Sequence, residues 1–187
     1  MNIQHLGDAY DHWKGSVISI LSSRKKIGSN LVVVPMLTDF QLWKAKDLRT
    51  YRRLLNLREE STICHEHETF TNHQIGRHNY FAGIPNKCDL FLDPDTGIST
   101  GNHLTEKHIT INEISNLLND GGNRDRVLMV YQHSTRSRDR FPKIGSMLRR
   151  VPYYPFKCGQ VAMFFISLSK NRIKAIKNTL RDYQKQA

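Results

Sequence analysis

The side chains of this chain that are best suited to chemistry stand directly after three short apolar runs. The runs are LVVVPMLTD at 31–39, LFLDPDTG at 90–97 and VLMVYQH at 127–133. Short runs rich in Val, Leu and Phe predict buried parallel strands. In an open α/β sheet the functional crevice lies beyond the carboxyl ends of the strands. The strands would deliver to that edge Thr38, Asp39, Asp93, Asp95, Gln132 and His133. This arrangement favours an enzyme over a scaffold.

Two more acids stand at the start of a predicted helix near the amino terminus. Asp8 and Asp11 are three residues apart and therefore lie on one face of that helix. If the helix docks against the sheet, carboxylates from both regions would surround a divalent metal, and carboxylates are suited to Mg²⁺ or Mn²⁺. Such a centre cleaves phosphodiesters by activating water. The candidate ligands of this metal-dependent nuclease hypothesis are Asp8, Asp11, Asp93, Asp95 and His133.

Each of these groups also has a structural interpretation. Asp8 and Asp11 are suited to capping the helix, and Asp95 is suited to a turn. Lys14 would form an ion pair with Asp11 or hold an anionic ligand at the mouth of the crevice. His133 is a candidate general base, metal ligand or satisfied polar residue. The four histidines between residues 65 and 78 fit no common zinc spacing and are interpreted as surface residues.

The positive charge of the chain is concentrated in its last third. The net charge is +11, and residues 124–187 hold 15 Lys and Arg against 3 Asp and Glu. Such a division predicts a polyanionic partner, with a solvated basic surface as the alternative. The candidate nucleic-acid-binding residues are Arg136, Arg138, Arg140, Lys143, Arg149 and Arg150. Tyr153, Tyr154 and Phe156 follow them and would stack on bases or belong to the buried face of a hairpin.

Composition and length predict one domain, residues 1–187, in the cytoplasm. The hydrophobic fraction is 39% and the charged fraction 24%, which are ordinary for a globular chain. We expect no signal peptide and no membrane span, because no segment approaches the roughly 18 apolar residues a span needs. Three widely spaced cysteines, Cys64, Cys88 and Cys158, are typical of reduced thiols.

Strand and helix patterns alternate along the chain. We predict helices near 10–24, 45–57, 112–118, from 142 and after Ser169, and strands near 31–35, 61–65, 88–93 and 127–132. Residues 153–156 and 161–167 predict a hairpin, whereas residues 66–87 have no clear period. The alternation favours an α/β fold, a three-layer Rossmann-like and mostly parallel sheet with an antiparallel C-terminal hairpin.

The motifs GDAYDHWKG at 7–15, LFLDPDTG at 90–97 and VYQH at 130–133 resemble a bacterial family of small uncharacterised proteins. That family has a G-D-x-x-D-x-W-K opening, a D-P-D-[NT]-G strand end and a Y-Q-H strand end. The similarity extends from about Gly7 to His133. That family has no established activity that the resemblance would imply for this chain.

The layout is also similar, more distantly, to Rossmann-type methyltransferases that use S-adenosylmethionine, especially adenine-N6 methyltransferases of ribosomal RNA. The resemblance places Asp93-Pro94-Asp95-Thr96 at their catalytic tetrapeptide, where Asp93 would orient the target amine. It implies S-adenosylmethionine as cofactor, held by Asp8, Lys14, Thr38 and Asp39. The loop after the first strand carries side chains where those enzymes have glycines, so it would be a degenerate cofactor loop.

The leading hypothesis is therefore an enzyme of methyltransferase-like fold acting on nucleic acid, with Asp11, Asp93, Asp95 and His133 as its candidate catalytic residues. The metal-dependent nuclease is one alternative. A non-catalytic nucleic-acid-binding protein is another.

Overall fold

The computed structural model describes residues 1–71, 73–101, 105–120, 123–133 and 139–186. The helices in this part of the chain are α1 (Ala9–Ser23), α2 (Ala45–Leu54), α3 (Gln74–Ala82), α4 (Ile111–Asn119), α5 (Arg140–Met147) and α6 (Lys170–Gln186). The strands are β1 (Val32–Val34), β2 (Thr62–Ile63), β3 (Leu90–Leu92), β4 (Gly97–Ile98), β5 (His108–Ile109), β6 (Leu128–Gln132), β7 (Tyr153–Cys158) and β8 (Val161–Ile166). Short 3-10 turns cover Ile3–His5 and Phe40–Leu42.

A six-stranded sheet forms the centre of the fold, in the order β2-β1-β3-β6-β8-β7. The pairs among β2, β1, β3 and β6 are parallel, and β8 runs antiparallel to both of its neighbours. Strand β2 lies on one side of β1, and the next strand in the chain, β3, lies on the other side. The direction in which strands are added to the sheet (its winding) therefore reverses between β1 and β3. The mostly parallel sheet and the C-terminal hairpin are thus confirmed.

The central strands β1, β3 and β8 are apolar and buried at every position, so the middle of the sheet is covered on both faces. Val33, Phe91 and Met129 belong to one hydrophobic cluster, which also holds core residues of α1, α2 and α6. Val32 and Leu90 point to the opposite face, into a second cluster with residues of α3, α4 and α5. This two-sided burial explains why the strands lack the alternation of a half-exposed sheet.

Most elements lie where their patterns predict them, within a few residues. The short parallel sheet formed by β4 and β5 was not predicted. Helix α3 was not predicted either, because residues 66–87 show no helical period. Its buried residues include Arg77, a charged side chain that a hydrophobic pattern does not count. The Arg77 guanidinium is satisfied by the Glu113 carboxylate at 2.7 Å and by main-chain carbonyls that include Thr105. A polar network therefore holds α3 in place.

Helices α1 and α2 approach each other closely at Gly15, which is buried in the middle of α1. A Cβ atom at this position would collide with the main-chain carbonyl of Leu54. The absence of a side chain brings α2 near enough to α1 for both helices to contribute to one site. None of the described helices is both long and apolar enough to cross a bilayer.

Candidate functional site in the crevice

A buried ionic network lies at the carboxyl end of β3. The Lys14 ammonium donates to Asp11 Oδ1 at 2.8 Å and to both carboxylate oxygens of Asp93 at 3.0 Å. The Tyr51 hydroxyl donates to Asp93 Oδ2 at 2.7 Å. Lys14 Nζ also lies 4.2 Å from the centre of the Tyr131 ring. The predicted meeting of Asp93 with the opening helix is confirmed.

Four different elements supply these side chains. Asp11 and Lys14 stand one turn apart on α1, so they share a face. Tyr51 comes from α2, Tyr131 from β6, and Asp93 directly follows β3. Asp93, Asp11 and Lys14 are 1%, 1% and 4% exposed. Charges this deeply buried are tolerated only when they are paired and hydrogen-bonded.

Two of the buried groups, Lys14 and Tyr51, keep their protons around pH 7. Desolvation lowers the pKa of Lys14, but the charges of Asp93 and Asp11 more than offset it, so the net shift is upward and Lys14 stays protonated. Burial and the charge of Asp93 raise the pKa of Tyr51 well above its usual value, so its hydroxyl stays a donor. Burial raises the pKa of Asp11 despite the opposing charge of Lys14. None of these shifts moves Lys14 or Tyr51 toward the neutral range in which a general acid or base works best.

A small cavity of about 90 Å³ opens above the network. Besides residues of the network it is lined by other predicted site residues, namely Asp8, Asp95 and His133. Asp8 is the N-cap of α1, where its Oδ1 accepts from the amides of Tyr10 and Asp11 at 2.8 and 3.0 Å. The crevice therefore collects every candidate catalytic residue of the sequence.

His133 lies at the exposed rim of this cavity. Its ring meets Tyr10 edge to face, with 5.9 Å between centroids, and Nδ1 is 3.3 Å from the Tyr131 hydroxyl. Partial desolvation lowers the pKa of His133, and nearby His5 adds to the effect. The imidazole is therefore neutral at pH 7.

Three of the predicted crevice residues serve the main chain instead. Gln132 is fully buried; its Oε1 accepts from the Ile98 amide at 2.7 Å and its Nε2 donates to the Thr96 carbonyl at 2.9 Å. Asp39 accepts from the Ile3 amide and the Trp43 indole, each at 3.0 Å. The Thr38 amide donates to the Met1 carbonyl at 3.1 Å. All three residues lie outside the cavity lining.

The residues at the end of β1 do not fit S-adenosylmethionine in this arrangement. Met1 is 4% exposed, and its ammonium donates to the carbonyls of Pro35 and Met36 directly beyond the strand. Met36 and Leu37 are fully buried. The cavity of about 90 Å³ is also several times smaller than the roughly 300–1,000 Å³ of small-molecule sites. A cofactor would have to displace the segment Met1–Ile3.

The crevice does not fit a divalent metal either, because a cation of the protein already occupies the position between the acids. Lys14 Nζ lies within 3.0 Å of carboxylate oxygens from Asp11 and Asp93. In the described part of the chain, no three His, Cys, Asp or Glu side chains group as metal ligands.

The candidate nucleic-acid residues are only partly within the described chain. Arg136 and Arg138 lie outside it. Arg140 is half-buried and donates to the Ile98 carbonyl at 3.1 Å. The remaining three, Lys143, Arg149 and Arg150, are exposed on α5 and just after it.

The aromatic residues of the C-terminal hairpin pack against the protein. Phe156 is 3% exposed and stacks on Trp13 at 6.0 Å, and Tyr154 stacks on Phe165 at 6.5 Å. Of the two interpretations, the buried hairpin face is therefore confirmed. In the histidine-rich segment, His65 is partly buried against Tyr80 at 4.0 Å, whereas His67, His73 and His78 are exposed as predicted.

Tyr51 and Tyr131 are site residues that the sequence did not single out. Tyr51 is predicted only as one apolar position in the stripe of α2, and its hydroxyl carries no sequence signal. Tyr131 is the penultimate residue of β6, where alternation places it on the α1 side. Comparison of the chain with protein-family models, with curated proteins and with solved structures yields no match.

Proposed function

We propose that this protein binds nucleic acid through the basic surface formed by α5 and the residues just after it, and that the ion-pair network of the crevice has a structural role. One contrast carries the proposal. In the crevice Lys14 is already paired with Asp11 and Asp93, whereas Lys143, Arg149 and Arg150 are exposed and form no ion pair with a carboxylate among the described residues. Unpaired cations release counterions when they contact phosphates, which supplies most sequence-independent affinity.

The chemistry of the crevice supports this division of roles. Both oxygens of Asp93 accept hydrogen bonds from Lys14 and Tyr51, so little of the carboxylate is left to receive a substrate amine. Buried polar networks of this kind are known to specify one arrangement of a core in some proteins. Here the network joins α1, α2 and the end of β3.

The fold that we propose is Rossmann-like, with three layers. Its support is the run of parallel strands, the helices packed into clusters on both faces, and the reversal of winding between β1 and β3. The crevice lies at that reversal, where open α/β sheets bind their ligands. We also propose the cytoplasm as its compartment, because Cys64, Cys88 and Cys158 are free thiols.

The test is binding of a fluorescein-labelled RNA hairpin and a DNA duplex, followed by anisotropy at several salt concentrations. We expect the wild-type protein to bind, and the triple variant K143Q/R149Q/R150Q to bind at least about tenfold more weakly with a shallower salt dependence. A matched variant, K46Q/R58Q/K87Q, removes the same charge from exposed, scattered positions. Equal loss in both variants, or no binding by the wild type, contradicts the proposal.

Methyl transfer is the second candidate function, and the position of Asp93-Pro94-Asp95-Thr96 favours it. This tetrapeptide follows β3 beside the reversal of winding, as the methyltransferase resemblance implies. The candidate requires that Met1–Ile3 leave the end of β1. Calorimetry with S-adenosylmethionine, and separately with Mn²⁺, decides it: heat with S-adenosylmethionine that Asp93→Asn abolishes would rank methyl transfer first, and heat with Mn²⁺ alone would restore the nuclease hypothesis.

A further inference from the structure

Helix α6 carries a straight row of cations that neither the crevice nor α5 includes. The row, named here the α6 cation stripe, consists of Lys170, Lys174, Lys177, Arg181 and Lys185. All five side chains are exposed. At 100° per residue they fall within a sector about 80° wide, and at 1.5 Å per residue they extend over about 22 Å.

The buried side of α6 lies beside the stripe, centred roughly 110° around the helix from it. Ile173, Ile176 and Leu180 are 7%, 0% and 0% exposed and pack in the cluster shared with α1. Helix α6 contacts α1 and the β7–β8 hairpin. The stripe is therefore exposed on a helix that is anchored to the core through Ile173, Ile176 and Leu180.

No acid interrupts the stripe. The one carboxylate of α6, Asp182, lies about 60° or more around the helix from every stripe residue and lines the groove between α1 and α6. Among the described residues, none of the five cations is within ion-pair distance of a carboxylate. Adjacent stripe residues on a helix are about 5–6 Å apart, so their charges reinforce one another.

We propose that the α6 cation stripe is a second nucleic-acid contact, which tracks the phosphate backbone of one strand without reading its sequence. A narrow row about 22 Å long matches a linear polyanion, whose phosphates repeat every 3.4 Å or so along a strand. A membrane surface is a worse fit, because helices that bind membranes insert an apolar face. That face of α6 is buried in the core.

This inference shares one premise with the proposed function, that the partner is a nucleic acid, and adds a surface on a different helix. The two are separable by experiment, because the stripe and the α5 cations are substituted independently. If wild-type protein binds and only the α5 variant is impaired, the proposed function holds and the stripe proposal fails. If wild-type protein does not bind, both fail.

The stripe is tested with the variant K170Q/K174Q/K177Q and a labelled 24-base-pair DNA duplex of arbitrary sequence. Glutamine has a helix propensity close to that of lysine, so α6 is retained. With about five phosphate contacts on the stripe, its share of the salt slope is about −4.5, and three substitutions remove about 2.7 of that. We expect binding at 0.1 M salt to weaken by about 100-fold or more.

Three controls distinguish the effect of where the charges lie from the effects of total charge and of misfolding. The scattered variant K46Q/R58Q/K87Q loses the same net charge and is expected to weaken binding by less than about threefold. The variant K170R/K174R/K177R keeps the charge and is expected to bind like the wild type. Circular dichroism and thermal unfolding establish that each variant is folded.

Two results would overturn the stripe proposal. One is an equal loss in the stripe and scattered variants, which would trace binding to net charge alone. The other is stripe-dependent binding to phosphatidylserine vesicles with an unchanged affinity for the duplex, which would assign the surface to an anionic membrane.

Discussion

Replacing Lys14 with methionine is the sharpest perturbation of the crevice, because it removes one charge and little volume. In the native protein the ammonium donates to Asp11 at 2.8 Å and to Asp93 at 3.0 Å. In Lys14→Met these two carboxylates face each other in a site that is about 1% exposed. Tyr51 is then the only side-chain donor left to Asp93 among the described residues.

The expected loss is about 3–5 kcal/mol, the usual effect of breaking a buried ion pair by removing one partner. That is a large share of the roughly 5–15 kcal/mol that stabilises a typical domain. For a chain of this size, each kcal/mol lowers the melting temperature by about 2–4 °C. We therefore expect Lys14→Met to melt about 6–20 °C below the wild type.

The assay is urea unfolding followed by circular dichroism, repeated between pH 4 and pH 8. Without Lys14 the pKa of Asp11, already raised by burial, rises further. A carboxyl with a raised folded pKa stabilises the protein below its unfolded pKa, and this stability is lost as the pH rises through the folded pKa. The loss of unfolding free energy in Lys14→Met, relative to the wild type, should therefore be smallest at pH 4 and largest at pH 8.

Lys46→Met is the matched control, because Lys46 is exposed on α2 and forms no ion pair with a described carboxylate. Its unfolding free energy should change by less than about 0.5 kcal/mol. Two results would refute the reasoning. One is an unfolding free energy of Lys14→Met within about 1 kcal/mol of the wild-type value at pH 8, and the other is a loss that does not depend on pH. Neither is compatible with an uncompensated buried charge.

Three further substitutions test separate parts of the structure, each by urea unfolding. Tyr51→Phe should cost about 1.5–3 kcal/mol by removing a donor to Asp93. It should also flatten the fall in stability above pH 10.0, where the unfolded tyrosine ionises while the folded one does not; an unchanged slope contradicts the network. Gly15→Ala should cost about 1–3 kcal/mol or more, because its Cβ meets the α2 main chain, whereas Gly101→Ala, whose added Cβ would meet no described atom within 4 Å, should be neutral. Gln132→Leu should cost about 2–3 kcal/mol by leaving main-chain groups of β4 unpaired, and a neutral effect would show that Gln132 does not hold β4.

The sequence alone determined the six strands of the main sheet and most of the helices, because continuous apolar runs and helical stripes report burial directly. It also determined that Asp93, Asp95 and His133 share one edge of the sheet, since the carboxyl ends of parallel strands meet there. Arg77 shows the limit of this reasoning: α3 is held by a guanidinium network, and a charged residue carries no hydrophobic signal.

The packing of α1 against α2 was decided by the tertiary structure and could not be predicted from the sequence. The spacing of Asp11 and Lys14 allowed a local ion pair, a metal site or a ligand clamp. Only the position of α1 over the end of β3 brings Lys14 to Asp93, and only the close approach at Gly15 brings Tyr51 there as well. Such distances depend on packing between elements far apart in the chain, for which a single sequence has no periodic signal.

The roles of Thr38, Asp39 and Gln132 were decided in the same way. Their types and positions at strand ends suit a ligand as well as they suit the main chain, so the sequence cannot separate the two. In the folded protein, each of these side chains forms a hydrogen bond with a main-chain amide or carbonyl of a distant segment. A buried main-chain group must find a partner, and here these main-chain groups are paired with side chains that the sequence had placed at the edge of the crevice.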